Sequence, residues 1–168
     1  DISRGVRVVK KQLTPDGLYP VYQNCLAPMG FYDKYNYPAD TTYVISAGAA
    51  GELGYSNTDF WAADDCLVFS NLHGIINKYI YYFLQTKQDY IYSNVRKASI
   101  PRLSRTVIEN LDIPLPPLDE QNRIVSILDR FDALCNDLTA GLPAEIAARE
   151  KQYEHYRDRL LTFPERRS

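Results

Sequence analysis

The chain has 168 residues, of which 45% are hydrophobic and 24% charged, with a formal net charge of −2. This is ordinary globular composition, sufficient for a packed core, and it excludes collagen, a disordered chain and a disulfide scaffold. No apolar run reaches the roughly 18 residues that a membrane span needs, and a charge near zero does not by itself call for a polyanionic partner.

In chain order, the first segment is basic: Arg4, Arg7, Lys10 and Lys11 stand against Asp1 alone. A Pro15-Asp16-Gly17 turn signal then precedes a strand over Leu18 to Tyr22. Thr41 to Ser46 (TTYVIS), β-branched and aromatic, is the strongest predicted strand. Gly48, Gly51 and Gly54 follow it. No G-K-[ST] accompanies them, so a hairpin turn is the better reading than a phosphate cradle. Cys66 to Ser70 is a further short apolar strand. Ile75 to Gln85 carries Ile76, Tyr79, Ile80, Phe83 and Leu84 at helical spacing, begun by Asn71 or Asn77. Of Tyr79, Tyr81, Tyr82, Tyr90 and Tyr92, which could stack on bases, most read as core or its edge. A second basic segment holds Lys87, Arg96, Lys97, Arg102 and Arg105 against Asp89, and Ser104 is the expected N-cap of a short helix over 105–110. Between the two basic segments, residues 33–65 are acidic, with Lys34 their lone cation. Folding would bring the two basic segments onto one positive face.

Composition changes near residue 118. All glycines but Gly141 and all tyrosines but Tyr153 and Tyr156 precede it. The boundary, Ile113-Pro114-Leu115-Pro116-Pro117-Leu118, cannot be helix interior and stiffens into an extended linker. Asp119 is the expected N-cap of the next helix, with Glu120 in its first turn. Ile124, Ile127, Phe131, Leu134 and Leu138 recur at heptad spacing along a helix of roughly 30 Å. Gly141 and Pro143 interrupt, as a turn-back or a kink. Ile146, Tyr153, Tyr156, Leu160 and Phe163 continue a second seam, which Pro164 ends. The seams would be covered by an intrachain helical hairpin or by a coiled-coil partner. The predicted architecture is therefore an α/β domain of short strands and helices over residues 1–118. A long amphipathic, coiled-coil-like helical segment follows over 119–168.

Cys25, Cys66 and Cys135 are far apart and lack C-x-x-C spacing, which argues against a disulfide or zinc framework and fits a reducing cytoplasm. His73 and His155 have no neighbouring ligands in sequence, so no metal site is predicted. The start at Asp1, without Met, reads as part of a longer chain. Three function classes compete: a nucleic-acid-binding module, a helical dimerisation scaffold without DNA binding, and a small metal-dependent nuclease using Glu52, Asp64 and Asp65. Adjacent Asp64 and Asp65 point opposite ways on a strand, and no methyltransferase string of the N-P-P-F or D-P-P-Y type is present.

The stretch Leu111 to Leu128 (LDIPLPPLDEQNRIVSIL) resembles the specificity subunit of type I restriction–modification enzymes, through I-P-L-P-P-L-x-E-Q and the isoleucine-rich helix after it. Leu142 to Phe163 is similar to that family's conserved helical region. Leu18 to Asn24 (LYPVYQN), the glycine-bearing stretch and Ser99 to Leu103 are similar in layout to its target-recognition domain. The resemblance implies a non-catalytic DNA-recognition half: one recognition domain followed by one helical spacer and dimerisation region. It also implies partners: double-stranded DNA, a methyltransferase subunit, a restriction subunit, and a second specificity half or a second copy. Two copies related by a two-fold would read an interrupted palindrome. S-adenosylmethionine, ATP and magnesium would be bound by the partner subunits and not by this chain. In that role Arg4, Arg7, Lys10, Lys11, Arg96, Lys97, Arg102 and Arg105 are the phosphate candidates. Asn24, Tyr32 to Asn36, Tyr55 to Thr58 (with Asn57 and Thr58) and Ser93 to Ser99 are the base-reading candidates.

Overall fold

The computed structural model describes residues 1–138 and 143–162. Its elements are β1 (Ile2–Arg4), a 3-10 turn (Lys10–Gln12), β2 (Tyr19–Tyr22), β3 (Gly30–Tyr32), β4 (Thr41–Ile45), β5 (Leu53–Ser56), β6 (Trp61–Ala62) and β7 (Cys66–Phe69). The helices are α1 (Asn77–Thr86), α2 (Gln88–Ser93), α3 (Arg105–Glu109), α4 (Leu118–Leu138) and α5 (Pro143–Leu161). It is a mixed α/β arrangement of short strands and helices that ends in two longer helices. Among the described residues no helix is long and apolar enough to cross a membrane.

The main sheet has the order β1-β7-β4-β5, antiparallel throughout. β4 is buried along its whole length because both of its faces are covered. Period-2 alternation sends Val44, Leu67 and Phe69 to one face, where Ile80, Leu84, Ile91 and Ile108 of the helices meet them. Tyr43, Ile45, Cys66 and Val68 go to the other face, against Phe60 and Ala62. Burial there pushes the Cys66 thiol up to about 12, so it is an inert core group. Beyond this face lies a smaller sheet, β3-β2-β6, in which β2 pairs antiparallel with β3 and parallel with β6. Its underside holds Val8, Val21 and Ala63.

Gly5 joins the two sheets. Its backbone approaches Ala62 and Ala63 so closely that an added Cβ would sit 2.2 Å from the Ala63 carbonyl oxygen. The glycine-bearing stretch is the predicted hairpin: β4 and β5 pair with Thr41 opposite Ser56 and Val44 opposite Leu53. Gly48 holds a left-handed φ of 84° in that turn.

α1 packs on the main sheet, and α4 and α5 pack on α1. Tyr79 and Tyr82 of α1 meet Ile124 and Leu128 of α4 and Leu161 of α5. Phe131 of α4 stacks on Tyr156 of α5 at 5.6 Å. Leu161 therefore lies beside the start of α4, and Tyr156 beside its later turns. α5 runs back along α4, which answers the question of turn-back or kink in favour of a turn-back. The interruption at 139–142 itself, and Phe163 and Pro164, lie outside the described residues.

α4 begins at Leu118, so Asp119 stands in its first turn and does not cap it. The root of the helix is held by Gln121, which is fully buried. Its side-chain carbonyl accepts from the Ile76 backbone N–H at 2.9 Å. Its amide donates to the carbonyls of Pro116 at 2.8 Å and Gly74 at 3.1 Å.

Candidate nucleic-acid interface

The site is built at the Ile45 end of β4. Past that strand, Ser46 takes both its backbone and hydroxyl hydrogen bonds to the Asp65 carbonyl, at 2.7 and 2.9 Å. Its own carbonyl accepts from Leu103 N–H at 2.8 Å, and Gly48 N–H donates to the Pro101 carbonyl. Ala47 and Arg102 form an antiparallel bridge, and Arg102 forms a second one with Arg96. The sheet thus continues, one bridge at a time, into the second basic segment. Residues 97–100 between the paired arginines are all exposed, and they present Lys97 and Ser99 on a short projecting loop.

Arg4 comes to the same place from the other end of the domain. β1 lies beside β7, with Arg4 opposite Leu67, and so points its chain toward this end of the sheet. Arg4, Arg96 and Arg102 line one open pocket of about 260 Å³, with Ser46, Asn94 and Ser104. Asn24 adjoins it: its carbonyl accepts from Ala49 N–H at 2.9 Å, and its backbone lies against Gly48. Arg4 of the first basic segment and Arg96 and Arg102 of the second, some ninety residues apart in sequence, therefore share one concave surface.

Other candidates are placed elsewhere. Lys10 lines a separate pocket with Leu13, Thr14 and Phe31 at the edge of the small sheet, and Lys11 is its exposed neighbour. Arg7 is exposed on the segment between β1 and that edge. Arg105, just beyond Ser104, is paired with Glu109 at 2.7 Å. Asn57 and Thr58 are exposed after β5, at the opposite, Thr41 end of the sheet. Asn36 is structural: its amide and carbonyl bind the Ala62 backbone at 2.9 and 2.8 Å. Tyr79 and Tyr82 are buried, while Tyr90 and Tyr92 remain on the surface. Ser46 and Ser104 carried no binding signal in the sequence, whereas Asn94 falls within the Ser93 to Ser99 candidates; the bridge between Arg96 and Arg102 makes the three neighbours.

Glu52 lies in the β4–β5 turn, whereas Asp64 and Asp65 lie between β6 and β7. Among the described residues no three His, Cys, Asp or Glu side chains are grouped to hold a metal ion. The nuclease constellation is not assembled.

The helical seam differs in part from its heptad reading. Ile124 and Phe131 face the other helices, and Tyr153, Tyr156 and Leu160 join them from α5. Leu128 takes the central buried place, Ile127 is half-buried outside that cluster, and Leu134 is 47% exposed. The reason is that α4 packs on α1 and α5 together, so a broad stripe spaced at 3.6 residues is covered and not a narrow heptad seam. The side chains of Leu138 and Ile146 lie outside the described residues. The helices meet α1 through a polar network as well: Tyr82 donates toward Asp129 and Asp132, and Lys78 pairs with Asp129 at 2.8 Å. Burial and the two carboxylates push the Tyr82 hydroxyl far above its ordinary value. An open pocket of about 680 Å³ beside α5 is lined by Asp89, Asp132, Glu154 and Asp158, with Arg157 among them. That surface would repel a polyanion.

Comparisons with known proteins agree on one family. The sequence profile for the type I restriction modification DNA specificity domain matches residues 1–148. The specificity subunit of the Escherichia coli type I restriction enzyme EcoR124I/EcoR124II is 44% identical over 92 residues, 54% of this chain and 23% of that protein. The specificity subunit of the type I restriction enzyme MpnII from Mycoplasma pneumoniae is 31% identical over 168 residues, covering 97% of this chain and 50% of that one. The chain spans about half the length of the curated relatives it matches. Among solved structures, the S subunit of a type I restriction-modification system from M. genitalium shares the fold, with a TM-score of 0.71. That match is at 24% identity and covers 83% of this chain and 38% of the other.

Proposed function

The chain belongs to the type I restriction modification DNA specificity family, and from that premise we propose that it is one DNA-recognition half of a type I specificity subunit. In this reading it carries out no bond-making step. Residues 1–118 form the recognition domain, and residues 119–168 form the helical spacer that sets its distance from a companion reader. The companion is a second specificity half or a second copy of this chain. A methyltransferase subunit with S-adenosylmethionine, and a restriction subunit with ATP and magnesium, would do the chemistry in the cytoplasm around it.

The observation that carries the proposal is the convergence of Arg4 with Arg96 and Arg102 on one open, polar pocket. Phosphate contacts from such a surface give affinity and register, and base-edge contacts give sequence choice. In this reading the loop bearing Lys97 and Ser99, with Asn24 near the β4–β5 turn, reads bases, a role that their exposure on the loop and the contact of Asn24 with Gly48 support. Arg105 stands at the margin with its charge paired to Glu109. Lys10, Lys11, Asn57 and Thr58 stand outside this surface, and Arg7 lies on the approach to it.

The test is a fluorescence-anisotropy titration of the full chain, with the methyltransferase subunit present, against a set of duplexes of varied sequence. Some duplexes should bind at least about a thousandfold more tightly than the rest. Equal affinity for all of them would end the recognition claim.

A further inference from the structure

Three arginines line one pocket, which places like charges near one another. Arg96 and Arg102 exchange two backbone hydrogen bonds, at 2.8 and 3.1 Å. Residues paired in this way project their side chains to the same face with Cβ atoms about 5 Å apart, and like charges so placed destabilise the pairing. Arg4 adds a third positive charge to the same pocket. Among the described residues the ion pairs involve Lys78, Arg105, Arg123 and Arg157, and none of these three arginines. The neutral groups on the wall are already engaged. Asn94 donates to the Tyr90 carbonyl and to Ser93, and Ser104 shares a hydrogen bond with Thr106.

We propose that this pocket holds a single phosphate of the DNA backbone. The proposal rests on the DNA-recognition reading and assigns this part of the surface to positioning, leaving sequence choice to its neighbours. Two kinds of group on a duplex attract arginine. A guanine edge occupies one guanidinium through O6 and N7. It is uncharged, so it leaves the repulsion among the three cations in place. A phosphodiester carries a full negative charge on two outward oxygens and lowers the repulsion among all three at once. The loop that begins at Arg96 and ends at Arg102 would then be registered on the duplex at both of its ends by the same phosphate. Lys97 and Ser99 at its tip would meet the adjoining groove.

The experiment compares wild type with Arg102→Gln and, separately, Arg96→Gln, each in the full chain with the methyltransferase subunit. Affinities for the preferred duplex and for an unrelated duplex are measured across a salt series. Both duplexes should weaken by the same factor, roughly fivefold. The slope of log K against log salt should become shallower by about 0.9, the signature of one lost phosphate. Without DNA, each variant should melt no lower than wild type, because a like-charge contact has been removed. A loss confined to the preferred duplex with an unchanged slope would make the residue a base reader and overturn the assignment. Unchanged affinity for both duplexes, or a lower melting temperature, would overturn it as well. Millimolar inorganic phosphate at constant ionic strength separates the two sources of the anion. A backbone-phosphate pocket takes inorganic phosphate weakly, so a small rise in the free protein's melting temperature, abolished by Arg102→Gln, is expected, whereas a large rise with duplex affinity unaffected by the phosphate would mark a free-phosphate site and overturn the assignment. If wild type discriminates among duplexes and the variants match it, only this inference falls. If wild type binds all duplexes alike, the recognition reading falls and takes this inference with it.

Discussion

The two ends of strand β4 treat their polar groups in opposite ways. At the Thr41 end, Asn77 accepts from Thr42 N–H at 2.7 Å and donates to the Phe69 carbonyl at 3.0 Å. The Thr42 hydroxyl returns a bond to the Asn77 carbonyl, Tyr55 donates to Asp40, and Lys78 pairs with Asp129. Gln121 fastens α4 just beyond, at the start of α1. At the Ile45 end, three arginines share a pocket that holds no carboxylate. Polar groups that complete one another build structure, and a half-satisfied set is costly unless something else completes it. The same strand thus carries a hydrogen-bonded anchor at one end and an arginine-lined pocket at the other.

The contrast is broken most severely by removing the anchor. Gln121→Leu keeps the side chain's approximate volume but removes the hydrogen-bond partner of the half-buried Ile76 N–H and Pro116 carbonyl and of the exposed Gly74 carbonyl. An unmet group costs about 1–3 kcal/mol when buried, and the Gly74 carbonyl can turn to water, so urea denaturation should show a loss of about 2 kcal/mol. A loss below about 1 kcal/mol would mean that Gln121 does not fasten the helix. Tyr82→Phe attacks the same end less severely. It removes the hydroxyl that binds Asp129 and Asp132, hydrogen bonds to charged groups for which the expected loss is about 1.5 kcal/mol. By contrast, neutralising Arg102 at the open end should not lower stability at all.

Alkaline pH acts on the anchor through the same hydroxyl. Burial and neighbouring carboxylates raise Tyr82 and Tyr55 above their ordinary value of 10.0, and burial raises Tyr79 to about 12. For an acid with a raised folded value, the unfolded chain loses its proton first and stability falls as pH rises. The contribution is complete below pH 10.0 and is lost progressively above it, toward about 12 in the case of Tyr79. Tyr82→Phe removes one of these protons, so denaturation followed above pH 10 should decline less steeply in the variant than in wild type. Equal slopes would show that Tyr82 is not among the groups that couple the anchor to pH.

The anchor and the open end were unequally legible in the sequence. Residues that bury side chains wrote their own pattern. TTYVIS became β4, CLVF became β7, and the spacing of Ile76 to Leu84 became α1. Ser104 stands at the N-cap of α3 as expected, although its hydroxyl bonds Thr106 and not the helix backbone. Both basic segments were visible as charge, but not the bridge that sets Arg96 opposite Arg102, nor the strand pairing that brings Arg4 to them. Those are contacts between distant residues with no periodicity to announce them. Leu128 was missed for a related reason. A heptad count assumes one partner helix, whereas α4 is covered by two. Gln121, a polar residue on the buried stripe, reads as solvent-facing unless the backbone groups it completes are known.

The smallest expected effect concerns Asn57 and Thr58, which sequence reasoning grouped with the DNA-facing residues. The pairing of Thr41 with Ser56 puts them at the anchor end, whereas Arg102 bridges Ala47 at the other. The six residue steps of extended chain from Thr41 to Ala47 separate the two positions by roughly 20 Å. A duplex held in the arginine pocket would meet Asn57 and Thr58 only by running along the whole edge of the sheet. The double substitution Asn57→Ala, Thr58→Ala should therefore change duplex affinity by no more than about 0.5 kcal/mol, roughly twofold. It should leave the salt slope intact. A tenfold loss in the anisotropy titration would show that the duplex does run the length of the sheet, and the distinction between its anchored and open ends would no longer describe where DNA binds.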